Sequence, residues 1–211
     1  MYLSRLILNP RSNEVRRQLA DVYQLHRTIL RAFPERLPSN ERVLFRVDVN
    51  RLTGVPTVLV QSQTLPDWSF LSLHADYLLQ VPPPEQNPAC KPYNPSISRG
   101  QILVFRLRAN PTFRRDGKRR AWLREEDQRA WLDRQAGKGG FRLVQLTVIP
   151  EGMNQTRKQD GHQNYQIRHF AVLFQGLIQV TDPDKFHRTL ATGVGPAKAF
   201  GCGLLSIAPA H

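Results

Sequence analysis

Six prolines fall in one short stretch: Pro82, Pro83, Pro84, Pro88, Pro92 and Pro95. Proline lacks an amide hydrogen and has a fixed φ. Such a run continues no helix and donates to no sheet interior, but makes a stiff, extended spacer. The chain is therefore expected to fold as two bodies. The boundaries are 1–81 for an N-terminal domain, 82–100 for a proline-rich linker and 101–211 for a C-terminal domain.

The two sides share one order of elements. In the first, residues 2–9 alternate as a strand, and a helical stretch runs from Glu14 to Phe33 with an interruption near Asp21. Strands over 43–49 and 57–61 follow, then a short helix opened by Pro66-Asp67 and a strand over 77–81. In the second, a strand over 102–108 leads to a basic loop, a helix over 125–135 and a strand over 141–149. A polar excursion over 151–164 comes next, with Asp160-Gly161 as a hairpin signal. Strands over 165–174 and 177–180, a helix entered at Asp182-Pro183, and a last strand over 204–208 complete it. Each half reads β-α-β-β-α-β. The fold class is therefore α+β, with two tandem ferredoxin-like domains, antiparallel sheets and helices on one face.

Charge narrows the partner. The chain carries 30 Lys and Arg against 17 Asp and Glu, a net +13, which points first to nucleic acid. Two cysteines support neither a disulfide framework nor a cysteine zinc site. The six histidines show no zinc-like spacing. No apolar run reaches membrane-spanning length, and Arg5 puts a charge where a signal peptide would carry its apolar core, so none is expected. The expected setting is the cytoplasm, with no membrane and no small-molecule cofactor or metal.

Chemistry concentrates in Tyr23-Gln24-Leu25-His26-Arg27-Thr28-Ile29-Leu30-Arg31. Residues three or four apart on a helix are neighbours, so Tyr23, His26, Arg27 and Arg31 are expected on one face, with Leu25 and Ile29 buried on another. An imidazole beside a phenol and guanidinium groups suits proton transfer at a phosphodiester. Further cations lie at Arg114, Arg115, Lys118 and Arg119 in the loop 113–120, and at Arg157 and Lys158 in the 151–164 excursion. The loop from Gly193 to Gly203 lacks the P-loop and dinucleotide patterns. It either cradles a phosphate on its N–H groups beside Lys198 or is a close-packed turn. No paired aromatics for base stacking are present, so RNA would be recognised by shape and backbone, as in a hairpin stem.

Several stretches resemble a known family. They are Tyr2-Leu3-Ser4-Arg5-Leu6, Tyr23-Gln24-Leu25-His26-Arg27, Pro66-Asp67-Trp68, Leu107-Arg108-Ala109-Asn110-Pro111, and the run from Gly193 to Leu205. With them the chain resembles the CasE-type CRISPR RNA endoribonucleases, processing subunits of the type I-E Cascade complex. The resemblance implies two tandem ferredoxin-like domains and metal-independent cleavage of precursor CRISPR RNA on the 3′ side of a repeat stem-loop. It places His26 and Tyr23 at catalytic positions, Arg27 and Arg31 on an RNA-holding helix face, and Arg157 and Lys158 on a hairpin that engages the stem. The implied partners are the CRISPR repeat stem-loop and other Cascade subunits. Without a metal, the ribose 2′-OH is the expected nucleophile, which leaves a 2′,3′-cyclic phosphate. The rival reading is a non-catalytic subunit that binds an RNA hairpin.

Overall fold

The computed structural model describes residues 1–39, 41–160 and 163–210, with backbone alone over 154–160 and 163–167. The chain divides into two compact units. The first comprises Met1–Asn94 with Thr156–Tyr165 and Ala199–Gly201; the second comprises Pro95–Gln155, Gln166–Lys198 and Cys202–His211. Among the described residues no helix is long and apolar enough to cross a membrane.

The first unit runs β1 (Tyr2–Ile7), α1 (Asn13–Ala20), α2 (Val22–Leu30), β2 (Leu44–Val49), β3 (Pro56–Ser62), a 3-10 turn at Ser69–Leu73 and β4 (Ala89–Pro92). Its sheet has the order β2-β3-β1-β4, with every pairing antiparallel. Strand side chains alternate between faces. Leu6 opposite Val58 and Ser4 opposite Val60 therefore turn inward together, where Val15, Leu25, Ile29, Phe45 and Leu71 close the core. Two polar groups inside this core are satisfied. Trp68 Nε1 donates to Ser4 Oγ at 3.0 Å, and the Tyr77 hydroxyl donates to Gln18 Oε1 at 2.7 Å.

The second unit carries β5 (Ile102–Ala109), β6 (Thr112–Arg115), β7 (Lys118–Ala121), α3 (Glu125–Gly139), most of β8 (Phe141–Asp160) and β9 (Gln163–Val180), α4 (Pro183–Thr192) and β10 (Leu205–Pro209), while Ala199 and Phe200 of the 3-10 turn Lys198–Phe200 belong to the first unit. The sheet order of the second unit is β10-β5-β9-β8. By order of appearance this is the same 2-3-1-4 arrangement as the first, so the ferredoxin-like plan occurs twice. Leu107, Leu132, Phe174, Phe186 and Leu190 are fully buried, with Phe141 and Phe186 edge-on at 5.5 Å.

Two expectations are corrected. The strand expected at 77–81 is a single bridge, Leu8 with Leu78. The edge of the first sheet is instead β4, inside the stretch read as a linker. An edge strand tolerates proline because its outward N–H groups have no partner to lose. The basic loop 113–120 is a β-hairpin: Arg115 pairs with Lys118 across Asp116 (φ 52°) and Gly117 (φ 71°). Two central residues at positive φ match the twist of the flanking strands. The excursion at 151–164 continues β8 and β9, strands of 20 and 18 residues; Gly161 of its turn signal lies outside the described residues.

Candidate active site and nucleic-acid interface

The helical stretch breaks at Asp21 (φ −127°, ψ 85°), whose carboxylate accepts the Tyr23 N–H at 3.2 Å and caps α2. An Asp at this position satisfies an orphan donor of the first turn. Burial of Leu25 and Ile29 then fixes the rotation of α2. His26, next along from Leu25, is half-buried at the edge of the apolar stripe.

Four rings form a row. His26 stacks on the fully buried Phe45 with centroids 5.9 Å apart and planes 22° apart. Tyr23 lies 6.1 Å from His26, and Phe200 lies 6.0 Å from Tyr23. The imidazole thus has one face on hydrocarbon and a phenol at its side. Burial pushes the His26 pKa below its ordinary 6.5, because desolvation penalises the cation. At neutral pH the ring is a proton acceptor.

Arg27 and Arg31 of the same helix, with Gln24 and Thr28, line a concavity of about 460 Å³ whose other wall is Glu14, Arg17 and Gln18 of α1. Arg31 sits over the Phe70 ring at 4.6 Å. At about 100° per residue Tyr23 and Arg27 point about 40° apart, while His26 and Arg31 point about 140° apart. The four residues thus span a broad arc, with His26 at one side, Arg31 at the other and Tyr23 and Arg27 between.

In the second unit Arg114 lies directly opposite Arg119, and Arg115 opposite Lys118, across β6 and β7. Lys198 Nζ donates to the Gly195 carbonyl at 2.8 Å, so the lysine braces its own loop. The loop is close-packed: a Cβ on Gly195 would meet Trp131 at 2.8 Å. Arg157 and Lys158 are on β8, but their side chains lie outside the described residues. Among the described residues no group of three His, Cys, Asp or Glu is placed to hold a metal ion.

The sequence did not disclose Phe45 and Phe200 as ring partners, since they come from distant segments with no shared period. Arg17 and Gln24 were also missed, although their spacing from Arg27 and Arg31 across one break carried the signal. The Asp21 cap was visible as an acidic residue at the interruption.

Two ferredoxin-like units, one carrying a half-buried histidine on a capped helix and the other a hairpin of opposed cations, define an α+β protein of the tandem ferredoxin-like class. The chain belongs to the CRISPR-associated protein family, matched over residues 1–209, and within it to the CasE/Cse3 type. It is 41% identical over 220 residues to the CRISPR-associated endoribonuclease Cse3 of Thermus thermophilus, covering 99% of this chain and 100% of that one. It is 30% identical over 227 residues to the Cascade subunit CasE of Escherichia coli K12, covering 99% and 100%. A structure of Cse3 bound to a 19-nucleotide RNA superposes with a TM-score of 0.85 at 40% identity, covering 99% and 100%. The crystal structure of Cas6e from Escherichia coli gives 0.72 at 28% identity over both whole chains. The architecture read from the sequence is the architecture of these relatives.

Proposed function

We propose that this chain is a metal-independent endoribonuclease. It cleaves CRISPR precursor RNA within the repeat, on the 3′ side of the stem-loop, and stays bound to the processed RNA as a Cascade subunit. The observation that carries the reading is the half-buried His26 ring, stacked on Phe45, beside Tyr23 and held neutral at pH 7 by burial. Its relatives support the class of activity and the partners. Cse3 is named an endoribonuclease and is seen with RNA, and CasE is named a Cascade subunit.

In this reading neutral His26 accepts the proton of the ribose 2′-OH. The 2′-oxygen attacks the adjacent phosphorus in line and forms the new P–O bond. The bond to the 5′-oxygen breaks, leaving a 2′,3′-cyclic phosphate. The departing 5′-oxygen takes its proton from protonated His26, either directly or from the Tyr23 hydroxyl with His26 then reprotonating the phenolate, and both routes restore the neutral site. Positioned proton transfer supplies about 10²–10⁴-fold, and in-line alignment adds further powers of ten. Arg27 and Arg31 hold the strand, Arg157 and Lys158 hold the stem, and Arg114, Arg115, Lys118 and Arg119 add further RNA contacts, by charge-assisted bonds to phosphates. Lys198 acts through the loop it braces. The preformed groove binds the cut stem as well as the uncut one, so product release is slow.

The test is a labelled repeat RNA incubated with wild type and His26→Ala in EDTA, with analysis of the product ends. Cleavage by wild type alone, giving a cyclic phosphate, is expected. Because the neutral ring is the active form and burial lowers its pKa, the rate falls only at pH values below the ordinary imidazole range. Cleavage that needs Mg²⁺ overturns the metal-free chemistry. Binding without cleavage by both proteins supports a non-catalytic subunit instead.

A further inference from the structure

We propose that the concavity beneath the β6–β7 hairpin is a binding site for single-stranded RNA flanking the stem. It would take one nucleotide, its phosphate on cations and its base on the half-buried Phe113 ring. The inference rests on the endoribonuclease reading above for the identity of the strand.

The concavity measures about 640 Å³ and lies wholly within the second unit. Arg114 and Arg119 of the hairpin form one wall. Gln135 and Lys138 of α3 form the opposite one, and Gly195 with Pro196 closes the end. No carboxylate lines it. The aromatic surface it offers is the half-buried Phe113 ring. Trp131 lies buried beneath, near Phe174 at 6.2 Å, and Gly195 packs against its indole at φ 75° with no room for a Cβ. Its carbonyl is held by Lys198. Phe113 and Trp122, with ring centroids 4.1 Å apart, stiffen the root of the hairpin. The site is therefore built on rigid elements before any ligand arrives.

The charge pattern selects the ligand. Like charges directly opposite one another destabilise a strand pair, and this hairpin opposes Arg114 with Arg119 and Arg115 with Lys118. The one ion pair among the described hairpin residues is the exposed Arg115 with Asp116 at 3.8 Å. A fold that keeps such repulsion gains from a polyanion placed between the charges. The concavity admits a single nucleotide but no duplex. Cations around a half-buried aromatic ring are the chemistry of single-strand binding. An acidic peptide matches the charge but leaves the Phe113 ring unused.

The experiment measures affinity by fluorescence anisotropy for four RNAs. These are the repeat stem-loop alone, the stem-loop with a short 5′ flank, the stem-loop with a short 3′ flank, and a stem-less strand of the flank sequence. In wild type, at least one flank is expected to tighten binding about tenfold. In Lys138→Glu that ratio falls toward one and the salt slope for the flanked RNA drops by about 0.7; in the uncharged Gln135→Ala the ratio falls part of the way at an unchanged salt slope. Arg134→Glu makes the same charge change on the exposed side of α3 outside the concavity and keeps the ratio. Three results overturn the proposal: no gain from either flank, equal loss in Arg134→Glu, or complete displacement of the stem-less strand by polyglutamate at equal charge. Failure of wild type to bind the stem-loop sinks the functional reading instead. The stem-less strand still reads the concavity in that case.

Discussion

The two units share one strand order but treat their helices differently. In the second, both helices are whole: α3 has 15 residues and α4 has 10. In the first, the helix after β1 is broken at Asp21 into pieces of 8 and 9 residues. The helix after β3 is reduced there to the 3-10 turn Ser69–Leu73. The break re-aims α2, so that one broad arc of it runs from the ring row to the cationic groove. The second unit keeps its helices and elaborates its strands, adding the β6–β7 hairpin and lengthening β8 and β9. The same frame is thus modified in its helices where the ring row lies, and in its strands where charge is displayed.

The sharpest test sets one histidine of each unit against the other. His26→Ala is expected to lower cleavage of repeat RNA by about 10²–10⁴-fold while binding persists. His169→Gln, on β9 of the second unit, leaves the cleavage rate at pH 8 near wild type. Comparable losses in both variants would erase the distinction between the units.

His169 answers to pH through stability. It is 5% exposed, and burial, with the nearby Arg108 charge, lowers its pKa to about 4. Between pH 4 and 6.5 the unfolded chain binds the proton that the folded one refuses, so folding stability rises with pH there. Stability is fully present above pH 6.5. It declines as pH falls toward 4, by about 3 kcal/mol at 1.36 kcal/mol per unit. Burial of His26 acts in the same direction. Urea titrations of the full chain at pH 7 and pH 4.5 measure the loss, and His169→Gln is expected to flatten most of it.

Much of this division was legible in advance, and the reasons are local. Alternation marked β1, β3 and β5 because one face of each meets a core. The break near Asp21 showed because an acidic residue interrupts an apolar period. β4 was hidden because an edge strand rich in proline carries no alternation. The β6–β7 hairpin was hidden because its strands are polar, so that only Asp116-Gly117 announced it. The placement of His26 beside Phe45 and Phe200 was beyond reach, since tertiary packing joins segments with no common period.

The helix caps offer a subtler comparison. Asp21→Ala removes the bond to the Tyr23 N–H and costs about 1 kcal/mol. It is expected to slow cleavage as well, because Tyr23 loses its anchor. Asp182→Ala removes the matching cap of α4, where the carboxylate accepts the Lys185 N–H at 3.1 Å. It lowers the melting temperature but leaves cleavage at the wild-type rate. Thermal melts beside single-turnover assays separate the two. Smallest of all is Arg115→Ala. The residue is exposed, so stability moves by no more than about 0.5 kcal/mol. The salt slope of stem-loop binding is nevertheless expected to fall by about one.

The facing cations of β6 and β7 make ionic strength a lever with two opposite arms. Added salt shortens the reach of their mutual repulsion and so tightens the unliganded ribbon. The same salt weakens its grip on phosphates by restoring their counterion atmosphere. Free protein and complex will therefore respond to a salt jump in contrary senses, and a melting curve recorded with and without RNA at two salt concentrations will show the crossing.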